Sequence, residues 1–189
     1  DHLEVVGPTG TVIWLNDGFA GNTLACGLGT ANGISLRFAT TEVAVASGVG
    51  ILAAGPLWLE SAVLSVTNGA AALMASGTLP IQVRSGFNRL DPALHLTNRP
   101  LDVAGASLEL GGGGTLTAPI SVTNGALTLA RGVFVSDLNQ PLPPLHLDNG
   151  VVSIESNATW QLVRTFGNQL YGISEQPGSV NGFRLANGT

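Results

Sequence analysis

Three histidines, twelve carboxylates and one cysteine are the residues of this 189-residue chain with obvious chemistry to offer. His95 and His146 hold matching places in two similar segments, with Asp91 and Asp148 nearby in sequence. A regular stack would set both imidazoles on one face, as a His/carboxylate metal site requires. The plainer reading is two outward strand residues opposite apolar neighbours, since no ligand pair has the tight spacing of a zinc motif. Asp91 and Asp102 would suit glycoside hydrolysis only if they faced one another across a bond, and nothing in the sequence makes them meet. No Gly-x-Ser-x-Gly elbow is present, and the glycine-rich stretches lack the Gly-x-Gly-x-x-Gly spacing of a dinucleotide site. The expectation is that the chain is not an enzyme and needs no cofactor or metal.

Composition narrows the field further. Lysine is absent, so all seven cations are arginines, which removes Walker-type phosphate loops and Schiff-base chemistry. A net charge of -5 is the wrong sign for neutralising phosphates, so nucleic acid is not expected as a partner. Cys26 is the only cysteine and can make no disulfide within one chain. The uncharged run Val43 to Leu59 is broken by glycines and Pro56 and is too short for a spanning helix, and no membrane insertion is expected. Asp1-His2-Leu3-Glu4 is a poor start for a signal peptide, and Asn157-Ala158-Thr159 and Asn187-Gly188-Thr189 are glycosylation triplets of the kind that arise by chance.

Helical periodicity is weak throughout. Short alternating runs recur instead, among them Leu57-Trp58-Leu59, Leu94-His95-Leu96, Leu101-Asp102-Val103, Leu108-Glu109-Leu110, Leu127-Thr128-Leu129 and Leu145-His146-Leu147. Period two puts one strand face inward and the other outward. Asn68-Gly69, Asn124-Gly125 and Asn149-Gly150 tolerate positive φ and read as hairpin turns. Segments sharing one frame start at Ser65, His95, Ser121 and His146, at intervals of 30, 26 and 25. Units this small cannot bury their own faces and must stack on neighbours or on other chains. A finer pattern, Pro-apolar-x-apolar, a turn, then apolar-x-apolar, starts at Pro56, Pro100, Pro119 and Pro144. Proline suits the first residue of a strand, where no ladder donor is yet needed.

Pro100-Leu101-Asp102-Val103-Ala104-Gly105-Ala106-Ser107-Leu108-Glu109-Leu110, and the run from Pro119 to Leu129, resemble the shaft of adenovirus-type fibre proteins, whose unit has the form Pro-Leu-x-Val-x-x-Gly-x-Leu-x-Leu. The resemblance covers roughly residues 56–156. It implies an all-β, repeat-built, triple β-spiral-like fibre segment in which three chains wind about a shared axis. A right-handed parallel β-helix, as in bacterial autotransporter passengers and phage tailspikes, and an antiparallel jelly-roll sandwich are the alternatives. Asn-Gly turns in every unit favour hairpins over one-way coils.

Three regions are expected: an N-terminal β region at 1–55 that is a cap or further repeats, shaft-like repeats at 56–156, and a C-terminal β/loop segment at 157–189. The expected function is structural attachment by a homotrimeric viral fibre segment on the virion surface or otherwise extracellular, presenting a surface to a host receptor, protein or glycan. A bacterial or phage β-helix adhesin and a carbohydrate-active β enzyme are the alternatives. Trp160, Arg164, Tyr171 and Arg184 leave the repeat and gather aromatic and cationic groups, which makes them the expected receptor contacts. Trp14 also lies outside the best repeats, and Trp58 points away from the leucines of its strand.

Overall fold

A computed structural model of the chain describes residues 2–137, 145–163 and 173–185. The first strands are β1 (His2–Val5), β2 (Val12–Leu15), β3 (Thr23–Leu24), β4 (Gly27–Thr30), β5 (Ser35–Ala46), β6 (Gly50–Ala53) and β7 (Leu57–Thr67). There follow β8 (Ala72–Ser76), β9 (Ile81–Ser85), β10 (Phe87–Leu90), β11 (Ala93–Thr97), β12 (Leu101–Ala104), β13 (Ser107–Leu110) and β14 (Gly114–Leu116). The last are β15 (Ile120–Thr123), β16 (Ala126–Asp137), β17 (Leu145–Asp148), β18 (Val151–Val163), β19 (Ile173–Glu175) and β20 (Gly182–Leu185). One 3-10 turn, Asp17–Phe19, is the only helical element among the described residues.

Every strand pairing is parallel, and each strand bonds to strands one coil before and one coil after it. The result is a β-solenoid with three sheet faces. Face A stacks β2, the first half of β5, the first half of β7, β9, β12, β15, β17 and β19. Face B stacks β3, the second halves of β5 and β7, β10, β13, and the first halves of β16 and β18, ending in β20. Face C stacks β1, β4, β6, β8, β11, β14 and the second halves of β16 and β18.

The all-β, repeat-built expectation therefore holds, in the parallel-coil form rather than the hairpin form. The Leu-x-Leu stripes explain why it closes. On face A the inward pairs are Leu36/Phe38, Leu57/Leu59, Ile81/Val83, Leu101/Val103, Ile120/Val122 and Leu145/Leu147; on face B, Leu108/Leu110 and Leu127/Leu129; on face C, Leu94/Leu96; all are buried. Three stripes meet in one continuous core within one chain, so covering them takes no second chain. β5 pairs with β7 across residues 55/56, and β18 spans 156/157, where its pairing with β16 shifts register between Ile154 and Asn157.

The Asn-Gly pairs do not make hairpins. Between faces A and B the chain bends at a single residue of left-handed conformation: Thr40, Ser61, Gly86, Gly105, Asn124 and Asn149, with φ between 44° and 63°. One such residue turns the strand direction by a corner and leaves it running onward, so the next strand pairs with the coil below. At Gly86 an added Cβ would meet Ser61 Oγ in the corner stacked against it, so a larger residue there would displace that hydroxyl. Asn68-Gly69 occupies the corner from B to C, and Asn98 the corner from C to A. At that last corner Pro56, Pro100 and Pro119 precede face A strands as expected, joined by Pro80; the carbonyls of Pro56, Pro100 and Pro119 accept from the Leu36, Ile81 and Leu101 N–H groups of the coil before. Pro144 lies outside the described residues.

The repeat frame is also corrected. Ser65 lies on face B, His95 on face C, and Ser121 and His146 on face A, so only the last two are equivalent. Face A strands begin at 12, 35, 57, 81, 101, 120, 145 and 173, giving coils of 19 to 28 residues.

Candidate functional site: a tryptophan and arginine ladder on face A

Face A is where the outward side chains carry the most chemistry. Strand register places Trp14 opposite Arg37, Arg37 opposite Trp58, Trp58 opposite Gln82, Gln82 opposite Asp102, Asp102 opposite Ser121 and Ser121 opposite His146. Period-two alternation puts all of them outside, because their neighbours at i±1 fill the core. The coil pitch separates successive rungs by about 4.8 Å and Trp14 from Trp58 by about 9.6 Å.

At the N-terminal end of this column the rungs hold one another. The Arg37 guanidinium lies 4.6 Å from the centre of the Trp14 ring, and its Nε donates to Glu60 Oε2 at 3.1 Å. Trp58 donates its indole N–H to Gln82 Oε1 at 2.7 Å, which fixes the ring in plane. Arg84 lies over the same ring at 5.1 Å and donates to Gln82 Oε1 as well. Arg84 is the extra residue of a β-bulge, since Leu59 pairs with Val83 and Glu60 with Ser85. Two residues on from Gln82, Arg84 leaves the sheet on the same outward side, and the bulge leaves it out of register with the coil before. Arg84 is exposed and makes no ion pair among the described residues, whereas Arg37 is committed to Glu60. Trp14 is 55% exposed.

A second polar cluster sits at the corner between faces B and C. Arg89 grips Asp91 with two bonds, Nε to Oδ1 at 3.0 Å and Nη2 to Oδ2 at 3.1 Å, and stands 3.6 Å from Glu109. The hydrogen bond to Asp91 pushes the Arg89 guanidinium above its ordinary pKa. Arg131 adds a 3.0 Å contact to Asp91 and donates from Nε to the Gly111 carbonyl at 2.7 Å. Gly111 and Gly112 make room: a Cβ would stand 2.5 Å from Asp91 Oδ1 in the first and 2.4 Å from the Asp91 carbonyl in the second. An open hollow of about 350 Å³ adjoins the cluster, lined by Gly69, Ala70, Asp91, Gly112 and Arg131 among others. Two cations and two carboxylates cancel, so the cluster ties coils together and leaves little net charge for a ligand.

The residues singled out by chemistry in the sequence fall apart in space. His95 is on face C and His146 on face A, and no cluster of metal-ligating groups exists among the described residues. Asp91 is at the B–C corner while Asp102 is on face A, so this pair does not face one another across a bond. Of the expected receptor contacts, Trp160 pairs with Phe134 on the inward side of face C, packs against the core and donates its indole N–H to Ser136 Oγ at 2.8 Å. Arg184 is exposed on face B opposite Ser153. Arg164 and Tyr171 lie outside the described residues. The ladder itself went unread because Trp14 and Trp58 lie in different regions of the sequence. The usable signal was the spacing of 23, 21 and 24 residues from Trp14 through Arg37 and Trp58 to Gln82, each one coil long.

The chain matches no protein-family model, no curated protein and no solved structure. The likeness to fibre shafts therefore stands on the quoted segments alone.

Proposed function

We propose that the protein is a structural attachment element, a β-solenoid that works outside a cell or on a virion by holding face A toward a partner surface. One observation carries this reading: Trp14, Arg37, Trp58 and Gln82 follow one another in unbroken register on the outside of four successive coils. Large aromatic and arginine side chains are the types that dominate recognition surfaces, and the hydrogen-bonded pitch of the sheet holds them at fixed spacing. The unit proposed is a single chain, closer to the β-helix adhesin than to the three-chain spiral, because the apolar stripes already cover one another.

Retention of cells or virions on a surface coated with the protein tests the proposal. Wild type should retain a binding partner surface, and a Trp14→Ala/Trp58→Ala variant with unchanged circular dichroism should lose most of that retention. Equal retention by the two proteins would overturn the role of face A. Release of reducing sugar from polysaccharides by the wild type would replace attachment with hydrolysis.

A further inference from the structure

We propose that face A binds an acidic glycan, a polysaccharide carrying uronate carboxylates, laid along the solenoid axis; the inference rests on the attachment reading and names its ligand class. The ladder asks for an elongated ligand, because its two aromatic platforms stand about 9.6 Å apart across three coils and no single ring spans them. Indole faces suit the C–H faces of sugar rings, and Trp14 offers one: Arg37 lies over its ring, yet more than half of the residue remains open. Polar groups beside such platforms must then meet hydroxyls, and the column supplies Gln82, Asp102, Ser121 and His146, one per coil.

The anionic preference comes from Arg84. Its guanidinium lies over Trp58, on the outward side that it shares with Gln82, and uses one acceptor, Gln82 Oε1, of the several its five N–H donors can serve. With no carboxylate partner among the described residues, Arg84 has donors left for a ligand carboxylate, in the paired geometry that guanidinium and carboxylate favour. Arg37 is not available in this way, being tied to Glu60. Asp102, one coil past Gln82, sets the register: it repels a second carboxylate there, so the uronate belongs beside Trp58 and the next sugar along is neutral or turned away. Nucleic acid does not fit, because one free arginine cannot answer a phosphate on every nucleotide.

Titration of the full chain with a hexasaccharide in which glucuronate alternates with neutral N-acetylglucosamine and with a neutral maltohexaose, followed by tryptophan fluorescence and calorimetry at low and high salt, tests the inference. The acidic sugar should quench fluorescence and bind more tightly than the neutral one, and added salt should weaken it. Arg84→Gln, an exposed change, should weaken the acidic sugar about tenfold and leave the neutral one unchanged. Trp14→Ala removes one platform without touching the core and should weaken both. Equal binding of the two sugars, with no effect of Arg84→Gln, overturns the acidic class. No binding of either, while the coated surface still depends on Trp14 and Trp58, overturns the glycan class and leaves attachment standing. Tighter binding of polyglutamate than of the alternating hexasaccharide reassigns the ladder to acidic peptides and overturns the proposal.

Discussion

Arg99 is the most demanding side chain in the interior. It sits at the corner between faces C and A, 1% exposed, and its guanidinium donates to the carbonyls of Ala53 at 3.2 Å, Gly55 at 2.5 Å and Ser76 at 3.1 Å, while Nε has no partner. Those carbonyls belong to the two preceding coils, so one cation clips three coils at one corner. Each charge-assisted bond contributes roughly 1.5–3 kcal/mol, against several kcal/mol to dehydrate the cation and about 1–3 for the idle Nε–H. The side chain is thus close to balanced in itself, but truncation leaves three carbonyls around a void. Arg99→Ala should cost about 3 kcal/mol, or roughly 6–12 °C in Tm for a chain of this size. Burial lowers the Arg99 pKa from its ordinary value. For a base with a depressed folded pKa, the stability cost of the charge is complete at every pH below that value; because arginine keeps its proton in proteins, the deficit of the variant should not change across neutral pH. Urea unfolding followed by circular dichroism, repeated at acidic and mildly alkaline pH, measures both quantities. An Arg99→Ala protein within 1 kcal/mol of wild type, an estimate at the low end of a lost buried bond, would refute the clip.

Three other outcomes are expected. Gly114→Ala should prevent or strongly impair folding, because Gly114 has φ 144° and an added Cβ would lie 1.9 Å from the Leu94 carbonyl; normal expression with wild-type Tm would contradict this. Asn88 is fully buried among apolar neighbours, accepting from the Ala62 N–H at 2.9 Å and donating to the Ser85 carbonyl at 2.8 Å, so Asn88→Leu should destabilise by about 1–3 kcal/mol in the same urea assay rather than stabilise as an apolar replacement otherwise would. Hydrogen exchange should be slowest for central coils such as β8 and β11 and fastest for β1 and β20, since each coil is stabilised only by its neighbours; uniform protection along the axis would contradict that picture.

Strand content and core were legible because period two is local: Leu101-Asp102-Val103 and Leu108-Glu109-Leu110 show by themselves which residues point inward. Proline at Pro56, Pro100 and Pro119 was legible for the same reason. Coil direction was not. Asn124-Gly125 looks the same whether one left-handed residue makes a corner or two make a hairpin, and the choice depends on where the next strand finds its partner. The repeat length misled because all three faces use one grammar, so His95 on face C imitates His146 on face A. The ladder stayed hidden since its rungs, Trp14, Arg37 and Trp58, are neighbours only once coils of slightly unequal length have been brought into register. Arg84 shares its outward side with Gln82 by simple alternation, but its place over Trp58 appears only once β9 is set beside β7.

The one-residue bend between faces A and B separates shape from content. Because each coil meets the next chiefly through backbone bonds and an apolar lining, outward residues can be exchanged without moving the spacing of the column. A protein built this way can alter its outer surface one letter at a time, or lengthen it by duplicating a whole level, while the scaffold beneath stays the same.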